Sequence, residues 1–177
     1  MKKIAMIAAV VLTCGAAQAQ TNASPIYGEI SYLMMSADAP SAAFDLAAVR
    51  GFLGYEVHPN IALEAMFAIG VADDRVGPAF DYVRLKLENS YGLYIKPKVN
   101  VTEKLELFAR VGYAESKFKA TRRGYGSSTD SDGDVSFGVG LKYTFAKNTY
   151  GAVDYMRYYD KDDLKVNGVT LGIGYQF

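Results

Sequence analysis

Past residue 14 the chain contains no cysteine, and nowhere does it contain tryptophan. Everything after Cys14 therefore lacks the means for a disulfide framework or a thiolate site. Histidine occurs once, as His58, so a nucleophile that needs an imidazole has one place to be. Charge of one sign is lacking too. The 19 Lys and Arg balance 19 Asp and Glu, which removes the pull toward nucleic acid that a basic stripe would exert. The longest apolar run, Ile4 to Leu12, falls short of the ~20 residues of a helical bilayer span. No segment past Gln20 carries a helical period.

What is present begins with a targeting segment. "MKK" is basic, the run to Leu12 is apolar, and "AQA" closes it with Ala17 and Ala19. This pattern predicts a secretory signal peptide over 1–19, cut before Gln20, and a single domain over 20–177. Thr13 precedes Cys14 where a lipid-modified cysteine would follow Gly or Ala, so Cys14 reads as part of the leader.

The rest alternates with period two. The runs "IYGEISYLMM", "VRGFLGYEV", "IALEAMFAIGV", "YVRLKLENSYGLYIK", "LELFARVGYA", "VSFGVGLKYTF", "TYGAVDYMRYY" and "VNGVTLGIGYQF" are separated by turn residues. Compact connections such as "HPN", "PKVNVTEK" and "AKN" alternate with more polar or longer ones. Those are "SADAPSAA", "DDRVGPAFD", "KATRRGYGSSTDSDGD" and "DKDDLK". Tight turns at one end and looser loops at the other predict an all-β, eight-stranded antiparallel up-and-down barrel.

Alternation alone fits a soluble barrel or a transmembrane one, and the polar face decides. It carries Glu29, Arg50, Glu56, Glu64, Arg84, Lys86, Glu88, Lys96, Glu106, Arg110, Lys142 and Asp154 among Gly, Ser and Ala. Small residues mixed with balanced charges suit a cramped interior, whereas Gly on a solvated exterior only weakens strands. The opposite face is nearly uncharged and gathers Tyr55, Tyr143, Phe145, Tyr175 and Phe177 toward strand ends, like an interfacial girdle. About eleven residues at ~3.3 Å, tilted ~45°, rise roughly 25 Å, the height of a membrane barrel's apolar band. The expectation is a transmembrane barrel with its charges turned inward.

The mature chain resembles the small eight-stranded outer-membrane barrels of the OmpA-like and opacity-protein-like group. "GYEVHPNIALEA", "GLYIKPKVNVTEKLELFARVGYA" and "GIGYQF" carry the likeness. The resemblance implies a porin-like barrel in a Gram-negative outer membrane; the peptidoglycan-binding domain of full OmpA-type proteins has no counterpart in this sequence, so no cell-wall tether is expected. It also implies that a last strand ending on an aromatic is read by the outer-membrane assembly machinery, a transient partner. Tyr175 and Phe177 would be that signal.

Three further features need a reading. His58 stands in the tight turn "HPN", so no Ser/His/acid constellation can form at the outer rim, and no enzyme is expected. "TDSDGD" places Asp130, Asp132 and Asp134 in a calcium-like spacing, but Gly133 falls too early and no closing Glu follows. It reads as a solvated loop, with no metal and no cofactor implied. "FKATRRGYG" sets Lys117, Lys119, Arg122 and Arg123 at an outer strand end, where they would meet lipopolysaccharide phosphates.

The expected function is an integral, monomeric outer-membrane barrel with a structural or surface-contact role, its lumen closed by salt bridges and its partners the surrounding lipid and lipopolysaccharide. The alternatives are a narrow channel for small solutes and a surface adhesin or receptor acting through the outer loops.

Overall fold

The computed structural model describes residues 24–39, 42–76, 83–122, 126–161 and 164–177. Residues 1–19 and Arg123 lie outside that set. The chain forms β1 (Ile26–Ala39), β2 (Ala42–His58), β3 (Ile61–Ala72), β4 (Asp74–Val76), β5 (Val83–Asn100), β6 (Leu105–Arg122), β7 (Gly126–Thr144), β8 (Thr149–Lys161) and β9 (Leu164–Gln176). No helix occurs among the described residues.

Every pairing is antiparallel. β3 pairs directly with β5, and the three residues of β4 lie against the outset of β5, in line with β3. β9 returns to β1, from Tyr27↔Gln176 to Asp38↔Lys165, so eight long strands close a ring. The closure extends to the last residue. Phe177 donates its N–H to the Ile26 carbonyl (3.0 Å), and its own carbonyl accepts from the Ser24 N–H (2.8 Å).

Ser24 and Phe177 share one end of the ring with the three tight turns. Asn60 donates its N–H to His58 Nδ1 (3.2 Å) in the first, and Leu105 donates to Thr102 Oγ1 (3.0 Å) in the second. At the other end the strands run further than their alternation. Of the stretches expected as loops, most of 36–43 and 119–134 is ladder: β6 and β7 pair out to Arg122↔Gly126. "TDSDGD" is therefore strand and not loop. Beyond the apolar band both faces of a hairpin meet water, so pairing continues while the two-residue pattern that reveals it disappears.

The β7–β8 ladder stops earlier, at Phe137↔Arg157, although β8 continues beside β9 to Lys161↔Leu164. Above it the two strands are joined by side chains. Ser136 Oγ donates to the Arg157 carbonyl (2.9 Å), and the Tyr159 hydroxyl donates to Asp132 Oδ2 (2.7 Å).

The outer face is apolar and open. Ile30, Tyr32, Leu63, Phe67, Leu93, Val139, Leu171 and Ile173 are all exposed, Leu93 by 71% and Leu171 by 67%. Left in water, each such side chain would forgo about 1.5–3 kcal/mol of burial, and a belt of them far exceeds the patches that soluble monomers show.

Candidate functional site

Described side chains enter the lumen in three tiers. Nearest the termini, the Tyr27 hydroxyl donates to Glu64 Oε1 (2.6 Å), and Lys96 Nζ lies 3.5 Å from the same oxygen and 3.8 Å from Glu106 Oε1. Lys98 pairs with Glu56 and stands 3.5 Å from Glu106 Oε2; Lys142 Nζ reaches that oxygen at 3.4 Å. The Lys96 ammonium also sits 4.3 Å from the centre of the Phe108 ring, a favourable approach for a cation away from water.

The middle tier is built on two arginines with no exposed surface. Arg50 meets Asp154 with a fork, Nη2 to Oδ2 at 2.5 Å and Nη1 to Oδ1 at 3.1 Å, and donates to the Tyr158 hydroxyl (2.7 Å) and Ser31 Oγ (3.2 Å). Arg110 takes Glu64 by a second fork, reaches Asp154 Oδ2 at 2.6 Å, and crosses to Glu29 Oε2 at 3.2 Å. β6 and β1 are opposite staves of the ring, so Arg110–Glu29 is a tie across its diameter. Thr170 Oγ1 supplies Asp154 with a further donor (2.9 Å), and Phe52 lies under both guanidiniums, 4.6 Å from Arg50 and 4.0 Å from Arg110. Charges held this deep require partners of opposite sign, and among the carboxylate oxygens of this tier only Glu29 Oε1 lacks a hydrogen bond, with Arg50 Nη2 3.8 Å away.

The third tier is apolar. Leu33, Met35, Phe44, Leu46, Met66, Leu87, Met156 and Val166 pack over the arginines toward the end opposite Ser24 and Phe177, and a void of only about 10 Å³ lies among Leu33, Met35, Met66, Leu87 and Val166.

Glu29, Arg50, Glu64, Lys96, Glu106, Arg110 and Asp154 are thus brought together inside, with Glu56 and Lys142 at their edge. Arg84, Lys86 and Glu88 are not, which corrects the reading of strict alternation. A bulge is responsible: Leu87↔Phe118 is followed by Asn89↔Lys117, leaving Glu88 as an extra residue that reverses the facing of everything before it. Leu87 consequently points inward at 1% exposure, and Arg84 and Lys86 point out. Lys98 escaped the sequence reading because "PKVNVTEK" looks like a turn, although Lys98 shares the inward face with Lys96. The apolar tier escaped it because "SYLMM" is apolar on both faces.

His58 is exposed in its turn. Asp130, Asp132 and Asp134 stand at alternate positions of β7, each accepting the N–H of the next residue. Among the described residues no cluster of His, Cys, Asp and Glu is placed to hold a metal. Phe177 packs edge-on against Tyr175, 5.6 Å between ring centres, on the apolar outer face.

A closed antiparallel ring, apolar outside and ion-paired inside, meets the requirement that a bilayer places on strands. Residues 5–177 match the family model described as the outer membrane protein beta-barrel domain. The chain belongs to that family. As an outer-membrane barrel it is similar in fold to Neisserial surface protein A, with a TM-score of 0.71 at 12% identity over 89% of this chain and 100% of that one. Ail, the attachment invasion locus protein of Yersinia pestis, aligns with a TM-score of 0.61 at 20% identity, over 87% of this chain and 99% of Ail. The N-terminal barrel domain of Pseudomonas aeruginosa OprF gives 0.57 at 14%, over 88% of this chain and 100% of that domain. No curated protein matches the chain.

For an outer-membrane barrel the tight turns lie on the periplasmic side and the longer hairpins outside. Arg84, Lys86, Lys117 and Lys119 then stand on the outer wall above the apolar belt, on β5 and β6. Lys86 and Lys119 are directly opposite one another in the ladder. Arg84 pairs with Asp73 (2.7 Å) and Lys117 with Glu88 (3.4 Å). Of the basic residues expected at the outer end, Lys117 and Lys119 flank this patch, Arg122 is exposed at the rim, and Arg123 is outside the described residues.

Proposed function

We propose that the protein is a monomeric, non-conducting wall element of the outer membrane that contacts lipopolysaccharide through its outer flank, after its leader 1–19 has been removed. The observation that carries the closed lumen is the stack of Arg50 and Arg110, both without exposed surface, beneath an apolar tier with a void of about 10 Å³. A void of that size holds one water at most. A hydrated ion would have to part ion pairs and then cross an apolar layer, each unfavourable.

Lipopolysaccharide contact is supported by the opposed pair Lys86 and Lys119. Like charges facing each other on a strand pair are destabilising unless an anion lies between them. Phosphates at the outer leaflet have the charge and the position to do so. Lys117 extends the same surface. An enzymatic role finds no support: the sole imidazole is exposed in a periplasmic turn with its Nδ1 occupied by the Asn60 N–H.

The deciding experiment is single-channel recording of the purified barrel in planar bilayers. The expected record is flat at all voltages. Steady openings would favour the narrow channel. Saturable binding of whole cells to host ligands, lost on changing the outer hairpins, would favour the adhesin.

A further inference from the structure

At the outer mouth, above the apolar tier, lies a cavity of about 320 Å³. Its floor and wall are Leu85, Phe118, Val166 and the Tyr159 ring, and its rim on β7 carries Asp130 and Asp132. We propose that this cavity binds a small organic cation with an apolar body, an alkyl- or arylammonium ion.

Three observations converge on that chemistry. The volume is at the small end of ligand pockets, enough for one compact organic molecule. The two carboxylates stand on the inward face of β7, Asp130 beside the Phe118 ring as its direct partner in the β6–β7 ladder and Asp132 within reach of the Tyr159 hydroxyl. Carboxylates beside aromatic faces are the surroundings an ammonium group prefers, with Coulomb attraction from the first and quadrupole attraction from the second. No Lys or Arg is among the described residues that line the cavity: Lys117 and Lys119 face outward on β6, and Arg122, on the face of Phe118 and Ala120, stands beyond the lining at the exposed rim.

The cavity also sits where the wall is thinnest. The β7–β8 ladder ends at Phe137↔Arg157, so the cavity wall between these strands is made by the Tyr159–Asp132 bond and not by backbone pairing. A ligand cation that draws on Asp132 would compete with the Tyr159 hydroxyl. Asp130 has no such duty, since it accepts only the neighbouring Ser131 N–H (3.0 Å) in the described contacts. Asp130 is therefore the primary ammonium partner.

The test is calorimetric titration of the mature chain, folded in phosphatidylcholine nanodiscs, with 2-phenylethylammonium chloride. One saturable site is expected. Asp130→Asn should weaken it about tenfold, the scale of a lost hydrogen bond to a charged group. Ala120→Trp, which fills the cavity from its lining, should abolish it. Neutral 2-phenylethanol should bind at least about tenfold more weakly, and ethylammonium likewise, since each keeps only half of the recognition. Heat-dependent gel mobility checks that both variants are folded. Equal binding of the alcohol, equal binding of ethylammonium, or binding unchanged in Ala120→Trp would each overturn the proposal.

Discussion

Arg110 holds Glu64 with two nitrogens, Nε to Oε2 at 2.6 Å and Nη2 to Oε1 at 3.1 Å, and neither side chain has any exposed surface. The same guanidinium also serves Asp154 and Glu29. Arg110→Ala would leave three buried carboxylates short of a partner, at about 3–5 kcal/mol if the site is dry. Urea unfolding in detergent measures this. Arg110→Lys keeps the charge without the fork and should fall between wild type and alanine. A near-neutral Arg110→Ala would mean that water reaches the network and that the closed-lumen reading fails.

Lys86 and Lys119 predict opposite signs in two assays. Lys86→Glu replaces a facing like-charge pair with an attractive one, so the barrel should gain about 0.2–1 kcal/mol in detergent free of lipopolysaccharide. The same change should reduce the lipopolysaccharide retained through purification. A loss of stability, or retention unaltered, would remove the basis for phosphate contact at this wall.

Phe177→Ser separates packing from recognition. Phe177 is 58% exposed, and its backbone bonds to Ile26 and Ser24 do not depend on the ring. Refolding into detergent should lose at most ~1.5–3 kcal/mol. Assembled protein in cells, counted by heat-dependent mobility of the membrane fraction, should fall much further. Equal deficits would make Phe177 an ordinary packing residue.

Two glycines on the inner face are occupied by tyrosine rings. A Cβ on Gly54 would stand 2.1 Å from Tyr27 Cζ, and one on Gly174 would stand 2.1 Å from Tyr150 Cζ. Gly54→Ala should cost about 1–3 kcal/mol through displacement of Tyr27 from Glu64. Combined with Tyr27→Ala, the two losses should be less than additive, because the clash disappears with the ring. Full additivity in that cycle would show that the ring does not rest on Gly54.

The strand count and the facing of most residues were legible because the membrane band imposes one rule on both sides of the wall. Val49, Leu53 and Tyr55 against Arg50 is a pattern that lipid outside and ion pairs inside make obligatory. The rule lapses in three places, each for its own reason. One extra residue at Glu88 reverses Arg84 and Lys86, and no composition marks a bulge in advance. Leu33, Met35 and Met156 are apolar inside as well as out, since a lumen this narrow is filled by whatever fits and not only by charge. Past the band, the outer parts of β6 and β7 carry polar residues such as Lys117, Lys119, Ser128 and Asp130 on both faces, so a paired hairpin is written in the residues of a loop.

The ladder between β1 and β9 makes Tyr27 and Gln176 neighbours, residues at opposite ends of the domain. A polypeptide leaving the ribosome cannot form that contact until its final strand exists. Until then the first strand and the growing tip both present bare edges, which seek any other strand. Closure is therefore a single late event with the largest loop the domain offers, slow by topology and exposed to aggregation on the way. A chain stopped one strand early lacks β9, the strand that pairs with both β8 and β1. Holding it unpaired across the periplasm becomes an obligation of the cell.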